Sequence, residues 1–281
     1  MSGAVQRSHK FNAEAKVLEG SLRQPLAQKV PTQAHAQLDA EGGYGVQHTT
    51  DYRLEGLISL RAGHSQVAGN SGTKPGHGWS TLVTTVIEDL NILQVVTADR
   101  VVAQIITEHP LEGYVPTISF LGTRFENLRV AGHPIHLDLN FELFGPKPAG
   151  DAPYIKEPGF LSHVASQYDR ILKSREVPDD LSGQYNQLSS SLGKTESVEC
   201  SLVNQVTSSH PGRSFGHIIR IPEFGTVTLA KLKIRQEDPN PESGIPMKTT
   251  VTLTMVDLKL GCVIDGDIPI GTGSSNGGTW P

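Results

Sequence analysis

The sequence predicts a mainly β protein: a β-sandwich or barrel-like domain carrying a small helical insertion. Three observations lead there. Glycine (29) and proline (18) run high, while apolar residues (37%) and charged residues (19%) fall below the usual globular share, which suits a turn-rich β protein better than a helical bundle. Long segments are rich in Val, Ile and Thr, which fit a pleated, half-buried surface. Period-2 alternation is strong in PIHLDLNFEL, where Ile135, Leu137, Leu139, Phe141 and Leu143 take odd positions and His136, Asp138, Asn140 and Glu142 even ones.

The elements follow in chain order. Residues 1–50 are weakly patterned and read as an N-terminal arm, with a strand in FNAEAKVLEGSL and a turn-prone proline in QKVPTQ. Residues 51–145 form the first part of the β domain. LEGLISLRAG (54–63) reads as a strand ended by glycine, and the glycine-rich GNSGTKPGHGWS (69–80) as a loop. Within 93–106 apolar residues occupy both parities, with Leu93, Val95, Val101 and Ile105 on one and Val96, Val102 and Ile106 on the other. A helix is the rival for such a run, and the β-branched content favours a central strand covered on both faces.

Residues 146–195 read as linker and helical insertion. Leu161, Val164, Tyr168, Ile171 and Leu172 keep helical spacing after Pro158-Gly159. Leu181, Tyr185, Leu188 and Leu192 do so after Pro178, with Asp179 as N-cap. Each helix has one apolar stripe and needs a surface to pack on, most simply the sheet. Residues 196–281 return to the β domain through GHIIRIPEF, TVTLAKLKIR and TTVTLTMVDLKL. Val227 and Leu229 are odd but Leu232 and Ile234 even; Val251, Leu253 and Met255 are odd but Val256, Leu258 and Leu260 even. A one-residue slip sends an apolar set to the other face unless a bulge absorbs it, so both strands are expected to bend or change sheet. EDPNPESGIP (237–246) joins them as a long loop, and GTGSSNGGTWP reads as a flexible tail unless Trp280 docks.

The run STLVTTVIEDLNILQVVTADRVVAQI, followed by FENLRVAGHPI, resembles the repeating pattern of choice-of-anchor (type P) β-rich bacterial surface proteins. TVTLTMVDLKL…GDIPIGTGSS is similar to that family's closing strands. GRSFGHIIRIPEFGTVTLA and a C-terminal TW also resemble a set of uncharacterised bacterial proteins. The likeness covers roughly residues 80–140 and 213–275. It implies a β-rich fold and a cell-surface role and brings no catalytic residues. The N-terminus lacks an apolar secretory core, which by itself reads as cytoplasmic.

The chemistry is sparse. A net charge of −5 gives no clustered positive field for nucleic acid or an anionic membrane, and no apolar run approaches the ~20 residues that span a bilayer. Cys200 and Cys262 lack zinc or redox spacing and read as buried small hydrophobes, with a disulfide between them as the alternative. Eleven histidines are dispersed. His133, His136 and Asp138 are the metal candidates, although residues three apart on a strand face opposite ways. In SSHPGRSFGH, a nucleophilic role for Ser214 would need its hydroxyl hydrogen-bonded to His210 or His217 as base. Trp79 and His77, among glycines, are candidates for stacking on a glycan or a partner. NLRVAGHPIHL reads as a hairpin with a four-residue loop, Ala131 to Pro134, in which Gly132 supplies the positive φ and Pro134 fixes the next strand. Val130 would then face Ile135, and Leu128 Leu137.

The expectation is a non-catalytic structural or assembly protein with no cofactor, forming a homo-oligomer or filament through sheet edges or the N-terminal arm. A carbohydrate- or ligand-binding module is the alternative, and a metal-dependent enzyme the third reading.

Overall fold

A computed structural model describes residues 7–24, 27–54, 56–72, 78–237, 247–261 and 264–280. The strands are β1 (Ser8–Lys10), β2 (Ala13–Gln24), β3 (Gln28–Gln37), β4 (Gly43–Leu54), β5 (Ile58–Ser71), β6 (Trp79–Ile92), β7 (Val96–His109), β8 (Thr117–Ser119), β9 (Arg124–Glu126), β10 (Arg129–Val130), β11 (His133–Pro134) and β12 (Leu137–Leu139). Helices α1 (Pro158–Leu172) and α2 (Asp179–Ser191) follow. The chain then forms β13 (Ser197–Ser201), β14 (Val203–Val206), β15 (Arg213–Phe215), β16 (Ile218–Ile221), β17 (Gly225–Glu237), β18 (Lys248–Gly261), β19 (Asp265–Ser275) and β20 (Gly278–Trp280).

Two eight-stranded antiparallel sheets form the sandwich. The first runs β11-β10-β7-β6-β5-β4, with β8 and β9 also on β7. The second runs β15-β16-β17-β18-β19-β2-β3, with β13 also on β17. Buried polar contacts tie the layers: the Thr107 and Ser275 hydroxyls lie 2.9 Å apart, and Thr85 Oγ1 donates to the Thr272 carbonyl at 3.3 Å. The sheets are not closed into a barrel.

The parity switches read in the sequence are one feature seen in several strands. In β17 burial passes from Val227 and Leu229 to Leu232 and Ile234, and Ala230 between them has φ +44°. The ladders place Ala230 beside Met255, Met255 beside Gly271 (φ +65°), Gly271 beside Val17, and Val17 beside Ala34 (φ +45°). The first sheet has a matching row: Asp51 (φ +49°), Arg61, Asp89 (φ +53°) and Asp99. There burial passes from Ile87 to Leu90 in β6 and from Ala98 to Val101 in β7. A left-handed residue in a strand acts as a bulge and turns the following side chains to the other face. Each sheet is therefore creased along a line, and β6, β7 and β17 keep an apolar side inward on both halves.

Glycine matters at this crease because the layers approach closely. A Cβ on Gly63 would lie 2.7 Å from Val17 Cγ1, so the glycine read as a strand end instead sits inside β5. A Cβ on Gly271 would stand 3.3 Å from Met255 Cβ and 3.4 Å from Ile87 Cδ1. Gly271→Ala is expected to cost about 1–2 kcal/mol, the penalty of a left-handed L-residue. Urea unfolding measures this; an unchanged midpoint would show that the crease does not need glycine there.

Several expectations change. Residues 54–63 are not one strand, because β4 ends at Leu54 and β5 starts at Ile58. The first fifty residues are not separate from the sheets: β2 lies between β19 and β3, and Pro31 sits on the edge strand, where a missing N–H is tolerated. The hairpin loop is two residues, Ala131 (φ +47°) and Gly132 (φ +81°), so Val130 faces His133 and Arg129 faces Pro134. The nine-residue strand 135–143 shrinks to β12, which pairs with β14. The tail docks as β20 on β1, with the Lys10 ammonium 5.6 Å over the Trp280 ring. The 237–246 loop lies outside the described residues beyond Glu237.

The insertion is a helical hairpin packed on the sandwich. Buried Phe160, Val164, Tyr168 and Ile171 make the inner stripe of α1. Gln167 clasps β13 in both directions, donating to the Ser201 carbonyl at 2.7 Å and accepting from the Ser201 amide at 3.0 Å. Asp179 is the first residue of α2, and Pro178 is its cap.

Candidate functional site

Polar side chains gather under α2, against the outer face of β16–β18. Tyr185 comes from the apolar stripe of α2, His217 from the turn before β16, Glu199 and Cys200 from β13, Lys231 from β17 and Asp257 from β18. The Tyr185 hydroxyl lies 3.2 Å from His217 Nε2. The Tyr168 hydroxyl donates to the Glu199 carbonyl. The Lys231 ammonium contacts Asp257 at 3.0 Å and Glu199 at 4.0 Å.

Burial favours the neutral forms of His217, Cys200 and Tyr185 in this cluster. Burial, helped by the positive charges of Lys231 and Arg170, pushes His217 down to about 3, far from the range near 7 that serves a general base. Burial and the Glu199 charge push the Cys200 thiol well up, so it stays a thiol and not the nucleophilic thiolate. Burial likewise raises the Tyr185 phenol. The enclosed space is about 80 Å³, small beside the ≈ 300–1,000 Å³ of typical ligand pockets. The cluster is a satisfied polar seam between insertion and sheet. Sequence reasoning missed the cluster because its members come from separate elements: Tyr185 reads as part of a helical stripe, Cys200 as a buried small hydrophobe and His217 beside Ser214.

A second cluster closes the end of the sandwich at Trp79. The Trp79 ring stacks on His9 (5.2 Å, 14°), and His9 also meets His109 at 4.5 Å and Phe11 at 4.6 Å. His9 Nδ1 lies 3.1 Å from Oγ1 of Thr279, its ladder partner in β20. Trp79 is half-buried, and His9 already covers one of its faces. His77 lies outside the described residues.

The metal candidates do not converge. His133 is exposed opposite Val130. The His136 amide donates to Ser208 Oγ at 2.5 Å, and Asp138 accepts from Asn204 Nδ2 at 3.0 Å. No group of three metal-ligating side chains stands together among the described residues. Gly132 holds the hairpin turn, and Pro134 lies on β11 just after it. The structure does bring Ser214 and His210 together, with Oγ and Nε2 2.6 Å apart, and His210 Nδ1 is 3.2 Å from the Pro211 carbonyl. His217 is turned away beneath α2. Cys200 is free and buried, and Cys262 lies outside the described residues.

Residues 9–235 match the model of a family described as a domain of unknown function (DUF8256). The chain belongs to this family. The match starts in β1 and ends in β17, so β18 and β19, which complete the second sheet, lie beyond it. No curated protein and no solved structure matches.

Proposed function

We propose that this chain is a non-catalytic structural protein that self-associates by strand addition along β4. The edges of the two sheets differ, and that difference carries the reading. The outer side of β7 is covered in segments by β10, β9 and β8, and the second sheet ends in the short β15. The edge strand β3 carries Pro31 and lies opposite a bulge in β2, both of which blunt an edge. By contrast β4 is twelve residues long and pairs only with β5 among the described residues. Its stretch GYGVQHTT carries no Asp, Glu, Lys, Arg or Pro, and Tyr44 (64%) and Val46 (48%) are exposed. An uncharged, β-prone, unpaired strand is a template for another strand. The likeness to bacterial surface proteins adds a setting in which linked copies are useful.

The test is size-exclusion chromatography with light scattering, together with electron microscopy. Wild type is expected to multimerise, and Tyr44→Lys/Val46→Lys is expected to be monomeric with an unchanged melting temperature. A strictly monomeric wild type without filaments, or a multimer indifferent to the lysines, would sink the reading.

A further inference from the structure

We infer that His48 and His64 form a two-imidazole site for a divalent transition-metal ion on the outer face of the first sheet. The two residues are direct cross-strand partners, His48 on β4 and His64 on β5. Both are exposed, with ring centroids 6.3 Å apart and planes 32° from parallel. Directly opposed residues hold their Cβ atoms about 4.5–5.5 Å apart, so the strands set the spacing in advance. Zinc binds imidazole nitrogen at 2.0–2.1 Å, so two nitrogens on one tetrahedral ion stand about 3.3 Å apart. Side-chain rotation on an open face reaches that separation without moving the backbone.

The surroundings of the other described histidines single out this pair. His9, His109 and His217 are packed among aromatic rings. His35 contacts Glu14, His163 the Leu143 carbonyl, and His210 Ser214. His133 and His136 are exposed but are not ladder partners of each other. Neither His48 nor His64 takes a hydrogen bond or an ion pair among the described residues, so their nitrogens are available. The same-face flanking positions are Val46 with Gln66 and Thr50 with Ala62, and none is a cation that would repel a metal ion. Two imidazoles suit ions of the copper, nickel and zinc class, with affinity expected to rise from zinc to copper. Water fills the remaining positions.

The inference does not rest on self-association, and the experiment keeps the two apart. Untagged full chain and the Tyr44→Lys variant, whose lysine lies beyond the flanking Val46, are titrated calorimetrically with Zn²⁺ and then Cu²⁺. Both proteins should bind one ion per chain, more tightly for Cu²⁺. His48→Ala and His64→Ala should each abolish saturable binding without lowering the melting temperature, while His133→Ala should leave it intact. No saturable binding to the wild type, or binding retained by both single variants, overturns the site.

Discussion

Phe144→Ala is expected to lower unfolding stability by about 3–5 kcal/mol, the range for removing a buried aromatic side chain from a core. Phe144 is 3% exposed and sits where the insertion meets the first sheet. Its ring stacks on Phe160 of α1 at 4.8 Å and 5°, meets Phe120 beyond β8 at 5.6 Å, and takes the edge of Tyr154 at 5.1 Å and 81°. Alanine would forfeit three aromatic contacts and leave a cavity between elements that approach from different directions, where collapse is difficult. Phe144→Leu keeps most of the volume and should cost clearly less. Urea unfolding checks the order. If Phe144→Ala loses less than about 1 kcal/mol, the insertion is held mainly by the Gln167 clasp and the Tyr168–Glu199 bond.

Phe144 also shows where the sequence pattern misleads. The alternation through 135–143 is real, but Leu137 and Leu139 are only half-buried and Phe141 is exposed, while Leu143 and Phe144 are buried from a turn. Alternation records which side chains face inward, and a turn reproduces it by accident when its own apolar residues point at the core. The weak pattern of residues 28–54 has the opposite cause. β3 and β4 are edge strands exposed on most of both faces, so burial leaves little period in their composition. The long inner strands were legible because Val, Ile and Thr are concentrated there. The crease was legible in β17 and β18 as a parity switch. In β7 the same switch read as a strand covered on both sides, because two parities in one window look alike in either case. Asp51 and Asp89 are tolerable left-handed residues, but Ala230 is not one that sequence would nominate. The polar seam under α2 was invisible because contacts between Tyr185, His217 and Lys231 depend on the insertion folding back on the sheet.

Acidification should destabilise the protein well before its carboxylates titrate. Three histidines are held neutral: burial lowers His9 to about 4, burial and neighbouring His9 lower His109 to about 3, and burial with the nearby Lys231 and Arg170 charges lowers His217 to about 3. In the unfolded chain each takes up a proton near the ordinary 6.5. Between about 6.5 and 4 the unfolded state therefore binds more protons than the native state, and stability falls as pH falls. Each such histidine contributes a slope of about 1.4 kcal/mol per pH unit, so the three together give roughly 4 at most, with His9, the least deeply buried, giving least. Above about pH 7 the stabilisation is fully present. Asp180 and Asp265, lowered by their arginine partners, act in the same direction but only below their ordinary 3.8, which keeps the two windows apart. Melting temperature measured from about pH 7.5 to 4.5 should fall steadily, most steeply below about 6. His217→Gln should remove roughly a third of the slope, since glutamine can still meet the Tyr185 hydroxyl and does not titrate. His109→Gln should do the same at the other end of the sandwich, where His9 and His109 would otherwise become facing cations 4.5 Å apart between centroids. A melting temperature that stays flat down to pH 5 would mean that these imidazoles reach water in the native state, and that the end of the sandwich at Trp79 is open rather than sealed by β1 and β20.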